Sequence, residues 1–321
     1  MVYKPILIVA GEPNSIFSEI FFKSIKYKKY KSPIIIIASK KLIELQMRKL
    51  NVNKKIRLID FLDIEKYNFD NRKINLIDVN FDQKKPFKRI SNKSNTYIEK
   101  SFEIAIQILK KKITNKLING PISKKFFLKK KFLGITEYLA FKTKTKNFAM
   151  LIYNKELSVC PLTTHLPLKK VPKKISNNLI RNKVKLIDNF YKKYFKHTPK
   201  IAITGLNPHC ESTDDFNEDD KIIKPTTKSL IKLNYRILGP FAADTIFLRK
   251  NRKKFNVIIG MYHDQVLTPI KTLFEYDAIN ITLGLPFIRI SPDHGPNESM
   301  LGKNKSNPKS LINALTFLDL R

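Results

Sequence analysis

The chain has 321 residues, 42% of them apolar, and 62 Lys+Arg against 27 Asp+Glu give a formal net charge of +35. That apolar share can build a large core, which excludes global disorder. No run reaches the roughly 18 apolar residues of a membrane-spanning helix, and two cysteines, Cys160 and Cys210, are too few for a disulfide scaffold and fit a reducing cytoplasm. The basic excess has two readings, an anionic partner such as nucleic acid or a general drift in composition. The lysines are spread along the whole chain beside abundant Ile and Asn, and only 9 glycines are present. That spread favours drift with solvated lysine faces, and disfavours a nucleic-acid partner.

Strand and helix signals alternate from the start. Residues 6–10 (ILIVA) read as a first strand, not as a signal peptide, because they lack a strongly basic leader and a small-residue cleavage site. Residues 11–15 (GEPNS) read as a loop and 16–27 as a helix. Residues 33–38 (PIIIIA) form a second strand, and Ser39 is placed to cap a helix over 40–50. Strands follow at 56–59 and 74–79. Residues 96–112 carry the clearest helical stripe, through Ile98, Phe102, Ala105, Leu109 and Ile113. A short strand at 116–119 runs into the turn Gly120-Pro121.

The middle changes texture. Apolar runs at 148–153 and 157–162, split by Asn154-Lys155-Glu156, predict an antiparallel hairpin inside a βαβ pattern. A long amphipathic helix is expected over 173–195, and a strand over 201–206. Pro225 sets a helix start within 219–233. Residues 236–238, 243–249 and 257–261 read strand, helix, strand, and the last helix covers 308–318. No internal repeat and no Gly/Ser-rich linker marks a domain boundary. The alternation predicts an α/β chain with a mostly parallel sheet and a hairpin insertion.

Residues 256–295 concentrate the polar groups. The run 257–261 ends in Tyr262-His263-Asp264-Gln265, and Lys271 follows. A second apolar run begins at Asn280 and stops at Arg289, before the turn Ser291-Pro292-Asp293-His294-Gly295. Open α/β sheets bind ligands at strand ends of this kind; solvated strand caps would look the same. His165, in Thr163-Thr164-His165, and His209, in Gly205-Leu206-Asn207-Pro208-His209, also follow apolar strands. Three imidazoles converging with His263 would make an open metal site, although a single strand-end histidine is as readily a structural hydrogen-bonder. His197 receives no role, and His294 fits a turn as well as a site. No G-x-G-x-x-G occurs, which excludes the standard dinucleotide fingerprint and the P-loop.

Several segments together resemble the 4-hydroxythreonine-4-phosphate dehydrogenase (PdxA) family of vitamin B6 biosynthesis. They are Asn119-Gly120-Pro121-Ile122-Ser123-Lys124, Gly134-Ile135-Thr136-Glu137-Tyr138-Leu139-Ala140, TTHLPLKKVP from Thr163, GLNPH from Gly205, GPFAADTIF from Gly239, YHDQ from Tyr262 and INITLGLPFIRISPDHG from Ile279. They run in the family's order across nearly the whole chain. The resemblance implies an isocitrate/isopropylmalate-dehydrogenase-like α/β fold, with two subdomains and a cleft between them. It implies a cytoplasmic homodimer whose active site is shared between chains. It implies NAD or NADP, and one divalent metal (Zn, Co, Mn or Mg) on His165, His209 and His263. Substrate contacts carry over to Thr136, Lys271, Asn280 and Arg289. The cofactor-binding residues and the proton acceptor do not carry over; Asp244 and Asp264 are candidates for the acceptor.

Three positions depart from the family's pattern. Ile135 stands where the family usually has a substrate-contacting His, and Ile can neither hydrogen-bond nor carry charge; Lys124 is one residue that could compensate. The glycine-rich opening loop is reduced to Gly11-Glu12-Pro13-Asn14-Ser15-Ile16-Phe17. The segment after GLNPH, usually glycine-rich, reads Cys210-Glu211-Ser212-Thr213-Asp214-Asp215. Three functions stay open at this point: the B6-pathway dehydrogenase, a related dehydrogenase for another phosphorylated hydroxy acid, and a non-catalytic basic anion-binding protein.

Overall fold

The structure is a computed structural model and describes residues 3–128, 131–214, 216–292 and 294–321. Asp215 and Asp293, named above in the segment after GLNPH and in the closing turn, lie outside the described residues. In chain order the elements are β1 (Ile6–Val9), α1 (Phe17–Tyr27), β2 (Ile34–Ala38), α2 (Lys40–Lys49), β3 (Ile56–Leu58), β4 (Ile74–Asp78), α3 (Asn95–Lys110), β5 (Lys116–Asn119) and α4 (Ile135–Lys142). They continue with β6 (Ala149–Tyr153), β7 (Ser158–Pro161), α5 (Asn177–Phe195), β8 (Ile201–Thr204), α6 (Lys224–Lys232), β9 (Ile237–Phe241), α7 (Ala243–Ile246) and α8 (Arg249–Arg252). The last are β10 (Val257–Gly260), α9 (His263–Phe274), β11 (Ile279–Leu283), β12 (Ile288–Pro292) and α10 (Lys309–Asp319).

The chain divides into two compact units, Met1–Leu139 with Pro286–Arg321, and Ala140–Leu285. In the first unit the strands lie in the order β3-β4-β2-β1-β5-β12, and every neighbouring pair is parallel. Parallel strands are covered on both faces, so they read as continuous apolar runs. ILIV of β1 and IIIIA of β2 are buried throughout. Ser39 caps α2 as expected, its hydroxyl accepting from the Leu42 amide. Gly11 sits at φ +76, and a Cβ there would run into the Pro121 carbonyl. This is why one glycine survives in an otherwise glycine-poor opening loop.

In the second unit the order is β11-β6-β7-β10-β8-β9. The β6–β7 hairpin is antiparallel, as its Asn-Lys-Glu break predicts, and β11 joins β6 antiparallel. Strands β7, β10, β8 and β9 are parallel. Met150, Ile152, Val159, Ile258, Val266 and Ile270 share one apolar core beneath them.

Four expectations change. The helix expected over 173–195 begins at Asn177, where the Ser176 hydroxyl accepts from the Leu179 amide; the residues before it make short turns around Pro172. The single run from Asn280 to Arg289 is two strands, because Gly284 adopts φ +92 and turns the chain. The helix expected over 243–249 is two short helices. Helices α4 and α9 have no counterpart among the predicted elements. Pro269 lies inside α9 and weakens its helical signal, and the apolar stripe of α4 is faint.

Candidate active site

The second unit aligns three histidines through its strand order. Strands β7, β10 and β8 are parallel neighbours, so the loops after them leave the same edge of the sheet. His165 follows β7, His263 begins α9 just after β10, and His209 follows β8. Pairing continues past the end of β7: the Leu162 amide donates to the Gly260 carbonyl at 2.7 Å, and the Thr163 hydroxyl to the Met261 carbonyl at 2.8 Å. This zipper carries His165 alongside His263, and their ring centroids are 5.5 Å apart.

His209 is held by a different device. Asp219 is fully buried; its carboxylate accepts from the amides of Leu206 and Asn207 at 2.9 and 3.1 Å and from the Asn207 side chain at 3.0 Å. Gln265 ties that loop to β10: its amide nitrogen donates to the Gly205 carbonyl at 2.9 Å, and its oxygen accepts from Thr204 and from the Met261 amide. Asp219 is not marked as functional by the sequence, and Gln265 stands out there only as a member of the YHDQ segment, since each acts through backbone that only the fold brings near. His165 and His209 have φ values of 51 and 56. Left-handed backbone at non-glycine residues is uncommon and clusters at functional sites, and here it falls on two of the three candidate ligands.

The donor chemistry suits a divalent cation at His263. Its Nδ1 lies 2.6 Å from Asp264 Oδ1. In the neutral ring the Nδ1–H donates to that carboxylate, which leaves the Nε2 lone pair for a ligand, the usual arrangement behind a metal-binding imidazole. Asp264 is itself exposed, so it orients the ring. Among the described residues no three His, Cys, Asp or Glu side chains close into a metal cluster. His165 and His263 are brought together, while His209 sits exposed on the adjoining loop. Asp244, the other acceptor candidate, is exposed in the first turn of α7.

Two predicted substrate residues also lie in this unit. Lys271 is exposed, two turns along α9, about 12 Å from His263 along the helix axis at 1.5 Å per residue. Asn280, on β11, has a buried side-chain oxygen with no hydrogen-bond partner among the described residues. An orphaned buried acceptor of this kind fits a ligand that brings a donor.

The first unit holds the other two. Arg289 on β12 is 0% exposed, the bulkiest of the fully buried side chains. Its Nε donates to Asn119 Oδ1 at 2.7 Å and its Nη1 to Thr136 Oγ1 at 3.2 Å. Thr136 is buried in the first turn of α4, and Asn119 ends β5. Burial pushes the guanidinium down to about 9 from its ordinary value, and the Glu137 carboxylate pulls it back up. A buried cation whose charge is opposed mainly by desolvation is stabilised by an incoming anion. Asn119 is the partner that sequence reasoning left without a role. Ile135 opens α4 beside Thr136, half-buried.

Comparison with known proteins identifies the lineage. The family described as "Pyridoxal phosphate biosynthetic protein PdxA" matches residues 29–318. This chain belongs to that family. A 4-hydroxythreonine-4-phosphate dehydrogenase of Sulfurihydrogenibium sp. is 39% identical over 314 residues, 96% of this chain and 95% of the relative. A D-threonate 4-phosphate dehydrogenase of Pectobacterium atrosepticum is 34% identical over 179 residues, 56% of this chain and 55% of its own. The crystal structure of the 4-hydroxythreonine-4-phosphate dehydrogenase of Klebsiella pneumoniae superposes with a TM-score of 0.85 at 25% identity, covering 98% of this chain and 97% of that one. At the level of fold alone, a β-decarboxylating dehydrogenase of Thermococcus kodakarensis matches with a TM-score of 0.50 at 10% identity, over 98% and 82% of the two chains. The PdxA-family chain is therefore an oxidoreductase with the isocitrate/isopropylmalate-dehydrogenase-like fold. Among its described residues, no helix is long and apolar enough to cross a membrane.

Proposed function

We propose that this PdxA-family chain oxidises 4-phosphohydroxy-L-threonine with NAD or NADP, giving a β-keto acid that loses carbon dioxide, in cytoplasmic pyridoxal phosphate synthesis. The observation that carries the reading is the buried Arg289 held by Thr136 and Asn119, a desolvated cation whose charge an anionic substrate would offset. Arg289 clamps an oxyanion through its fixed fork, and Thr136 holds the guanidinium in register. Lys271 neutralises a second anionic end, and the orphaned oxygen of Asn280 accepts a hydrogen bond from a substrate hydroxyl or amine. His165, His209 and His263 are the residues that would hold a divalent cation, with Asp264 fixing the His263 tautomer. When bound, that cation lowers the pKa of a coordinated hydroxyl and stabilises the charge left as carbon dioxide departs. A bound nicotinamide would supply the hydride acceptor, and the chain's part would be to align the two carbons.

The working unit is a homodimer that completes each site with residues of both chains. Because His165 and His263 lie side by side in one chain, the test pairs a histidine with the arginine: mixing His263→Ala and Arg289→Met proteins should then restore activity in the heterodimer, and no recovery from demonstrably mixed dimers would contradict a shared site.

A second reading has one specific observation behind it. Ile135 puts an apolar surface where the family's His donates, and a charge-assisted hydrogen bond is worth about 1.5–3 kcal/mol. A phosphorylated hydroxy acid that places no anion at that position would need no donor there. Growth rescue of a strain lacking the B6 enzyme decides between the two. Rescue by the wild-type chain supports the first reading. No rescue, with turnover of another phosphorylated hydroxy acid instead, replaces it with the second.

A further inference from the structure

The first unit has a feature that the proposed chemistry does not use. Two adjoining cavities, of about 730 and 510 Å³, share Ile25, Lys26 and Lys54 in their walls. Both open at the edge where the parallel strands begin. Ile34 and Ile74 are the first residues of β2 and β4, and Lys54 lies two residues before β3. Arg289's partner Asn119 closes β5 at the opposite, carboxyl edge, as Gly11 follows β1 there.

The lining divides by chemistry. The floor is apolar, with Phe22, Ile25, Leu50 and Val52 in the larger cavity and Phe21, Ile25 and Ile74 in the smaller. The smaller cavity's rim carries Lys26, Lys28, Lys29, Lys54, Arg72 and Lys73 and no carboxylate. The larger adds Lys23, and its one acid, Glu19, is buried and already bonded to Lys23 and to the Ser306 amide. The nearest other acid, Asp70, is engaged by Arg57 and Arg72. Lys54 is half-buried, and desolvation lowers its pKa while Asp70 opposes the shift. Six cations around one mouth, of which among the described residues only Arg72 has a carboxylate partner, repel one another, and a bound polyanion relieves that repulsion. The volumes fall in the range of small-molecule sites.

We propose that this double cavity is a second ligand site, for a phosphorylated small molecule of mononucleotide size whose apolar or aromatic body lies on the Ile25 floor and whose phosphates meet the Lys26–Lys54–Lys73 rim. A solvated lysine surface produced by compositional drift would attract anions too, but without saturation and without needing the floor.

The test is a fluorescence titration of the full chain with N-methylanthraniloyl-ADP in the presence of NAD and NADP together at saturating concentration, so that the proposed dinucleotide site is filled whichever of the two it takes. One saturable site per chain is expected. The double substitution Lys54→Ala with Lys73→Ala should weaken binding at least tenfold. The pair Lys250→Ala with Lys253→Ala, which removes the same charge on exposed positions of the second unit, should leave it unchanged. Ile25→Trp fills the shared floor without changing charge and should also abolish saturation, so the proposal survives a rim variant that fails to fold. Equal weakening by the two lysine pairs, or undiminished binding by Ile25→Trp, overturns it. Displacement of the probe by a single-stranded oligonucleotide far below the concentration at which free ADP displaces it also overturns it, in favour of a nucleic-acid face.

Discussion

The histidine edge of the second unit and the arginine seat of the first solve opposite problems. Arg289 is wholly buried on a strand and fixed by two side chains, so its geometry is set before any ligand arrives. His165 and His209 stand on loops and His263 opens α9; His209 is exposed, and of the three only His165 and His263 already lie side by side. An anion seat is built by desolvation, which fixes a charge at a continuing energetic cost. A cation seat is built by lone pairs on adjustable loops, which a metal itself can draw together. The difference teaches that the arginine should report on folding and binding together, whereas the histidines should report on activity with little change in stability.

The largest expected effect is therefore His263→Ala. Losing a cation ligand removes several kcal/mol of transition-state stabilisation, roughly a thousandfold in kcat/KM. Elemental analysis should show the divalent metal gone, with a melting temperature close to that of the metal-free wild type. Full metal occupancy with unchanged turnover would remove His263 from the site. Arg289→Met comes next. It should raise KM or lower kcat/KM by about a hundredfold, near the 3 kcal/mol of a charge-assisted contact, and it leaves Asn119 and Thr136 unpartnered by the guanidinium. Unlike the histidine variant, it should also move the denaturant midpoint; an unchanged midpoint would break the contrast.

Asp264→Asn and Gly205→Ala sharpen the histidine side. The first keeps the shape but removes the charge that fixes the His263 tautomer, and should cost about 10- to 100-fold in metal affinity; dialysis against a metal buffer measures it. In the second, a new Cβ would lie 2.7 Å from both Asp219 Oδ1 and Cys210 Sγ, so the loop bearing His209 must shift. A loss of about 1–3 kcal/mol, the range for overpacking, is expected in urea denaturation, and a neutral result would mean the Asp219 clamp is looser than its three hydrogen bonds suggest.

How much of this was legible in the sequence follows from the same contrast. Apolar runs such as IIIIA of β2 and the stripe of α3 announce themselves, because burial on both faces or on one face leaves a period in the residues. His263 beside Asp264 is local, and could be read as an oriented imidazole before the fold was known. Asn119 and Asp219 could not. One meets Arg289 across 170 positions of sequence, and the other holds a loop more than ten residues away through backbone amides, which leave no mark on residue type. Helix α9 was hidden by Pro269 in its middle, and the β11–β12 break by a single glycine in a continuous apolar run. The family and its oxidoreductase class were legible through the long segments that resemble it; the Ile135 departure was visible too, but what it does to the substrate is a matter of pocket chemistry.

The smallest effect concerns pH. Burial pushes the guanidinium down to about 9, below its open-chain value. The penalty for burying its charge is present below about 9 and is relieved as pH rises above it toward the open-chain value. An anion seated on Arg289 has the reverse dependence, favourable below 9 and lost above it. Added inorganic phosphate should raise the melting temperature of wild type more than that of Arg289→Met near pH 7.5, and the gap should close near pH 10. A gap that is constant across that window would contradict a ligand-relieved buried charge.

The most direct measurement of the central claim is the nicotinamide absorbance formed from 4-phosphohydroxy-L-threonine and NAD or NADP, with wild type stripped of divalent cations and then resupplied. The account predicts no reduction in the stripped enzyme, restoration on adding the cation, and no restoration in His263→Ala. Full reduction by the stripped enzyme, or none by the resupplied wild type, would contradict it.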